Sequence, residues 1–357
     1  MSPSARLSPP DNAPQVRKDQ WHLDFLNVKR VHQITRGSGV LVAVPDTGVD
    51  PHPDLSGNLT DGRDLITGWD SGLHDRNSHG TAMAGLIAAH GSGPEVGALG
   101  IAPEAKILPI ISSTSDNYGE ADTLAQALDY AISQHAKVIS ISSAGVTSDR
   151  LVRAVDAALD ADIVIVAGVG NRPEAATVGY PAAQDGVIAV SGVDRSGRHA
   201  QISVTGPKVD IAAPAVDIYS TSYGGKYSKG TGTSSATAIV AGAAALIRSK
   251  YPNLPAAEVA HRLTATAVDK GPPGRDDQYG YGVIDLVAAL TADIPPLGFE
   301  STGVTAPAPT AAAPDAAGDN STARGLATLG ALLAAGGAYL VWRRRRRADD
   351  PPPRISR

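Results

Sequence analysis

Four short segments, far apart in a chain of 357 residues, carry side chains able to do chemistry. In VAVPDTG, Asp46 stands where an apolar run gives way to Thr-Gly. On its own this is either a common turn or a carboxylate presented at the end of a strand. In NSHGTAMAGLIAA, His79 is the only one of nine histidines that opens an apolar, Ala/Gly-rich helical stretch with a Gly-Thr beside it. It reads either as a cap or as a base. In KGTGTSSATAIVAGAAALIRSK, Ser234 opens a long helix of small and aliphatic residues. A serine there is usually a cap, but the same position sets backbone N–H groups and the positive end of the helix dipole beside its Oγ. In IVIVAGVGN, Asn171 follows a Gly-rich strand end, as a left-handed turn residue or as an amide donor. A serine hydroxyl is a poor nucleophile at neutral pH without an adjacent base. An imidazole can be that base, a carboxylate can orient it, and amide N–H groups can receive the negative charge that forms on an attacked carbonyl.

The elements that must hold these groups are legible from period and composition. VLVAV (40–44), AKILPII (105–111), KVISIS (137–142), IVIVAGV (163–169) and GVIAVSGV (186–193) are short, rich in Val and Ile, and apolar on both faces. Such runs fit buried parallel strands. Helix-like stretches lie at 79–90, 119–135, 148–160 and 234–250. Alternating strands and helices predict an α/β domain, a mainly parallel sheet covered on both faces, with its site at the carboxyl ends of the strands.

Composition narrows the function classes. Aromatic residues are only 4%, so Val, Ile, Leu and Ala must build the core. A net charge of −5 gives no reason to expect nucleic acid as a partner. The chain has no cysteine, which excludes disulfides, Cys-bound zinc, iron–sulfur clusters and thiol nucleophiles.

Taken together, DTG, HGT and GTS, with the Asn turn between His and Ser, follow the Asp…His…Ser order of the subtilisin arrangement. The stretch from about 21 to 290 resembles the subtilase family, and ATVGYPAAQDGVIAVSGVD (176–194), VDIAAPAVDIYST (209–221) and YGYGVIDLVAAL (279–290) agree with it. The resemblance implies a subtilisin-like three-layer fold and a serine endopeptidase acting through an acyl-enzyme, with Asp46, His79 and Ser234 as catalytic triad and Asn171 in the oxyanion hole. It further implies that Ser142-Ser143-Ala144-Gly145 pairs with an extended peptide or protein substrate, and that Gly168, Val169, Gly170 and Gly179 form the walls and base of the pocket for the P1 side chain. Ala144 stands where the family most often has Gly, so a preference for small or medium apolar P1 residues is expected. Pro45, Ser78, Ala82 and Ala238 also depart from the family's usual residues, and Pro45, lacking an N–H, is expected to disturb the strand end that carries Asp46. A catalytically weak or inactive scaffold is the alternative reading. No cofactor is required by this chemistry and no metal site is expected. Subtilases often carry structural calcium, but no acidic loop here has a convincing ligand spacing.

The appendages sharpen the resemblance. Residues 1–20 read as a flexible arm, 21–290 as the peptidase domain, and 291–323 as a Pro/Ala-rich linker. Residues 324–342 contain the uncharged run GLATLGALLAAGGAYLVW and read as a transmembrane helix, with an Arg-rich tail at 343–357. Positive charge directly after the helix predicts a cytoplasmic C-terminus and an outward-facing catalytic domain at the cell membrane. This order resembles the mycosins, the membrane-anchored serine proteases of type VII secretion, which implies association with that machinery. Mycosins usually carry a signal peptide. Residues 1–20 hold no apolar run of that length, so a native start further upstream is expected.

Overall fold

The computed structural model describes residues 13–68, 71–114, 120–145 and 147–298. The transmembrane helix, the Arg-rich tail and most of the linker expected from the sequence lie outside the described residues. Among those residues, no helix is long and apolar enough to cross a membrane.

The centre is a parallel sheet of β1 (Leu41–Asp46), β2 (Arg63–Asp64), β3 (Lys106–Ile111), β4 (Val138–Ile141), β5 (Val164–Gly168), β6 (Ile188–Val193) and β7 (Ile211–Pro214), in the order β2-β3-β1-β4-β5-β6-β7. β8 (Ile218–Ser222) and β9 (Lys226–Gly230) form a separate antiparallel hairpin. The helices are α1 (Ala13–Asp19), α2 (Trp21–Phe25), α3 (Val28–Val31), α4 (His79–Ala88), α5 (Ala121–Ser133), α6 (Asp149–Asp160), α7 (Thr233–Lys250), α8 (Ala256–Ala265) and α9 (Leu286–Thr291).

Because successive side chains of a strand point to opposite faces, each central strand feeds two cores. Val42, Val44, Val164, Val166, Ile188 and Val190 pack with α4 and α7 on one face. Ala43, Ile139, Ile165, Ala167 and Ala189 pack with α5 and α6 on the other. This is the expected three-layer arrangement. α7 is buried on nearly all sides, from Thr233 to Arg248 apart from Ser234, which explains its lack of a polar stripe. Its run of Ala and Gly keeps it slim enough to lie close on the sheet.

Both ends of the domain differ from the boundaries expected. The chain is already helical at Ala13 rather than a loose arm to residue 20. Ala13 and Val16 are buried, and Arg17 donates from Nε to the Gly97 carbonyl at 2.8 Å. At the other end the domain continues past Leu290. Arg262 donates to the Ala292 carbonyl at 2.8 Å, and Leu297 N–H donates to Glu258 Oε1 at 2.8 Å, so residues 291–298 belong to the domain rather than to a linker.

The order β3-β1-β4 makes the β1/β4 boundary the point where the winding of the sheet reverses. Crevices for ligands open there, at the carboxyl ends.

Candidate active site

Asp46 is the last residue of β1 and is buried. Its neighbour Pro45 does not disturb this strand end, contrary to the expectation from sequence, and the ladder shows why. The carbonyls of Val40 and Asp46 accept from Lys106 and Ser112, on the β3 side, whereas that of Leu41 accepts from Lys137, on the β4 side. Alternation therefore turns Pro45 towards β4, and pairing of β1 with β4 has already ended at Ala43. The missing N–H falls where no partner is needed, and the β3 ladder runs unbroken to Asp46.

His79 is the first residue of α4. It comes close to β1 because residue 80 is glycine: a Cβ there would lie 2.1 Å from the Gly48 carbonyl oxygen and 3.2 Å from the Asp46 Cβ. His79 Nδ1 lies 2.8 Å from Asp46 Oδ1 and 3.0 Å from Oδ2. An ionised carboxylate only accepts, so Nδ1 carries the proton and Nε2 is left as the basic nitrogen. The Asp46 side chain is 4% exposed and that of His79 17%, so their hydrogen bond is shielded while the imidazole edge still reaches the cleft.

Ser234 is the second residue of α7, where backbone N–H groups have no partner within the helix. Its Oγ donates to the Ser142 carbonyl at 3.0 Å. Asn171 follows β5 and accepts at Oδ1 from Thr233 N–H at 2.9 Å and from Thr233 Oγ1 at 3.2 Å. A backbone N–H can only donate, so these contacts fix the amide orientation and turn Nδ2 away from Thr233.

His79, Ser234 and Asn171 line one cavity of about 650 Å³, together with Ser142, Ala144, Gly145, Gly168, Gly170 and Gly179. Asp46 stands behind His79, outside the lining. Three of the expected substrate contacts need correction. Val169 is fully buried in the core on the α5–α6 face, because strand alternation turns its side chain away from the cleft. Ser143 does not line the cavity either. Gly145 lines it, but its backbone is already paired: its N–H donates to the Tyr180 carbonyl at 3.1 Å and its carbonyl accepts from Tyr180 N–H at 3.3 Å. The stretch open to an extended peptide therefore ends before Gly145. Tyr180 itself does not line the cavity; its side chain packs against the α5–α6 core, and burial pushes its phenol up to about 12, with the negative charge of Asp156 as a lesser cause. A Cβ on Gly179 would lie 2.8 Å from the Ala144 methyl and 3.4 Å from the Ala144 Cα, so the two positions touch, side by side in the cavity lining.

The cavity has a further set of lining residues that the sequence reading missed. They are Ala82, Met83 and Leu86 of α4, Ile218 and Ser220 of β8, Ser228 of β9, and Ser235. A signal for those on α4 was present. Residues 79, 82, 83 and 86 recur at i, i+3, i+4 and i+7, so they share the helix face that carries His79. Glu174, exposed at the glycine-rich wall, was missed as well. Among the described residues, no group of three or more His, Cys, Asp or Glu converges as a metal site.

A serine-bearing helix N-terminus and a carboxylate–imidazole pair at the carboxyl edge of a doubly wound sheet fit a subtilisin-like serine endopeptidase. The chain belongs to the subtilase family, which it matches over residues 37–282. It is 37% identical over 266 residues to the thermostable alkaline protease of Halalkalibacterium halodurans, covering 74% of this chain and 71% of that protein. It is 40% identical over 258 residues to subtilisin E of Bacillus subtilis, covering 71% of this chain and 66% of that protein. Among solved structures it is similar to MycP1 with its N-terminal propeptide removed, at TM-score 0.70 and 30% identity, covering 77% of this chain and 98% of that one. It is also similar to the MycP3 protease from the type VII (ESX-3) secretion system, at TM-score 0.67 and 35% identity, covering 76% of this chain and 88% of that one.

Proposed function

We propose that this protein hydrolyses peptide bonds with Asp46, His79 and Ser234 as its triad, anchored in the cell membrane by residues 324–342 and working beside a type VII secretion apparatus. The observation that carries the catalytic part is the two-oxygen grip of Asp46 on His79 Nδ1, at 2.8 and 3.0 Å, on the cavity that Ser234 also lines. That grip fixes the tautomer whose Nε2 can take the Ser234 proton. In the resting state the Ser234 hydroxyl donates to the Ser142 carbonyl. Attack begins when rotation about its Cα–Cβ bond gives that proton to His79 instead. Oγ then adds to the scissile carbonyl, and the oxyanion is received by Asn171 Nδ2 and the Ser234 N–H at the positive end of α7. His79 passes the proton to the leaving amine, and water hydrolyses the acyl-enzyme by the same route in reverse. Apart from the substrate and the attacking water, every group in this scheme is a side chain or backbone atom of the chain itself.

On the acyl side, the Ala144 methyl beside Gly179 supports a preference for small or medium apolar P1 residues. The membrane anchor, the outward-facing domain and the secretion partner rest on the apolar run and the arginines after it, and on the likeness to MycP1 and MycP3. The hydroxyl's resting bond to Ser142 is the observation that favours a weakly active scaffold instead. A fluorophosphonate probe decides between them: wild type should label and Ser234→Ala should not, whereas an unlabelled wild type refutes the protease mechanism. In cells, secretion lost on deletion but retained with Ser234→Ala would give the scaffold the main role. A reporter inserted after residue 298, past the end of the domain, that is active only outside the cytoplasm would support the orientation.

A further inference from the structure

We propose that Asp75 is a positioning residue that sets the distance between His79 and Asp46, an inference that rests on the triad reading above. Asp75 lies four residues before His79, is 3% exposed, and contacts neither the cavity nor the reacting atoms. Its carboxylate is the centre of five hydrogen bonds. Oδ1 accepts from Thr47 Oγ1 at 2.9 Å and from the N–H groups of Asn77 and Ser78 at 3.1 Å each. Oδ2 accepts from Thr81 N–H at 2.9 Å and from Thr81 Oγ1 at 2.6 Å.

The partners fall into two groups. Thr47 is the residue after Asp46, and its own N–H donates to Asp46 Oδ1 at 2.7 Å. Asn77, Ser78 and Thr81 bracket His79 on both sides. One buried carboxylate therefore ties the end of β1 to the first turn of α4, across the gap that the Asp46–His79 pair spans. The tie is closed from the other direction as well, since Gly80 N–H donates to Thr47 Oγ1 at 3.0 Å. Ser78 is held at φ 79° here, a left-handed conformation that non-glycine residues take only when their surroundings impose it.

The chemistry of the partners specifies an ionised acid. Each threonine hydroxyl already accepts a backbone N–H, Thr47 from Gly80 and Thr81 from Asp50 at 2.9 Å, so each has its proton left to give. Every group facing Asp75 is consequently a donor. An asparagine can accept on only one side, and its NH₂ would be set against donors on the other.

The test compares Asp75→Asn, Thr47→Val and Thr47→Ser with wild type and Ser234→Ala. Fluorophosphonate labelling is resolved into a reversible binding constant and a bond-forming rate, and the low-field proton resonance of the His79–Asp46 hydrogen bond is followed. We expect Asp75→Asn to slow bond formation by about 10²-fold, the scale of a displacement of about 1 Å in a reacting group, with binding unchanged and the low-field signal shifted or lost. Thr47→Val removes two bonds, the one given to Asp75 and the one accepted from Gly80, and should slow bond formation by roughly several-fold, with Thr47→Ser restoring it. A wild-type rate and signal in folded Asp75→Asn would overturn the proposal. Should Asp75→Asn not fold, a wild-type rate in Thr47→Val would overturn it equally. Normal labelling of Ser234→Ala would instead remove the triad reading, leaving the low-field signal to report on Asp75 alone.

Discussion

The two helices that begin at the cleft hold their functional residues by opposite means. At the start of α4, His79 is fixed by converging polar bonds: Asp46 grips its ring, and Asp75 gathers the residues on either side of it. At the start of α7, Ser234 is fixed by packing. Thr233, Ser235 and Ala236 around it are buried, and the long slim helix behind them lies in the core. Under the mechanism proposed above, the difference follows from what each group must do. There the imidazole gains and loses a charge during turnover, so it needs a permanent counter-charge in a dry place. The hydroxyl must rotate between acceptors, so it is held at its Cα while its Oγ stays free to turn.

Replacing the counter-charge on the histidine side should give the largest loss. Asp46→Asn keeps the shape but no longer selects the tautomer with a basic Nε2, and bond formation measured by labelling should fall by about 10⁴-fold. On the serine side, Asn171→Ala removes one oxyanion donor and should lower kcat by about 10²–10³-fold with KM little changed. Equal losses from the two substitutions would erase the distinction drawn here. Ala144→Gly removes a methyl from the cavity lining beside Gly179 and should shift peptide-library preference several-fold towards larger P1 side chains, with the rate on small ones almost unaltered. An unchanged profile would separate Ala144 from P1 selection.

A pH test far from both helix ends separates global stability from local chemistry. His22 is fully buried, with no hydrogen-bond partner for either ring nitrogen, and burial lowers its pKa from 6.5 to about 3. The unfolded chain therefore binds a proton below about pH 6.5 that the folded chain refuses until about pH 3. Stability from this group is complete above the first value and lost on the way down to the second, by about 1.4 kcal/mol per pH unit at most. His22→Leu should flatten that acid limb in urea unfolding while leaving the labelling rate near wild type at pH 8.

Much of this was legible in the sequence because buried parallel strands and amphipathic helices print their period directly. The five apolar runs became β1, β3, β4, β5 and β6 within about two residues, and the four helical stretches became α4 to α7. The segments bearing Asp46, His79, Asn171 and Ser234 do meet around one cleft. What stayed hidden has no period. The β8–β9 hairpin is short and mostly polar, with only Ile218, Tyr219 and Tyr227 apolar or aromatic in its two strands. Asp75 reads as one more acidic residue in a polar loop until its five donors are seen. Val169 was misassigned because a motif match gives its place in the chain but not the face of the sheet to which its side chain points.

The N-terminal helices carry a consequence for how the molecule comes to exist. The buried amide of Gln20 donates at 3.1 Å to the carbonyls of both Leu99 and Tyr219, and Trp21 donates from its indole to Val216 at 3.1 Å. Stretches made first thus close against stretches separated from them by 195 to 199 positions. Contacts of such range are won only after a large loss of chain freedom, which makes assembly slow. During synthesis the segment around Gln20 and Trp21 can reach Leu99 early, but its bonds to Tyr219 and Val216 must wait until those residues have emerged, and in that interval it is open to capture by chaperones or to cleavage.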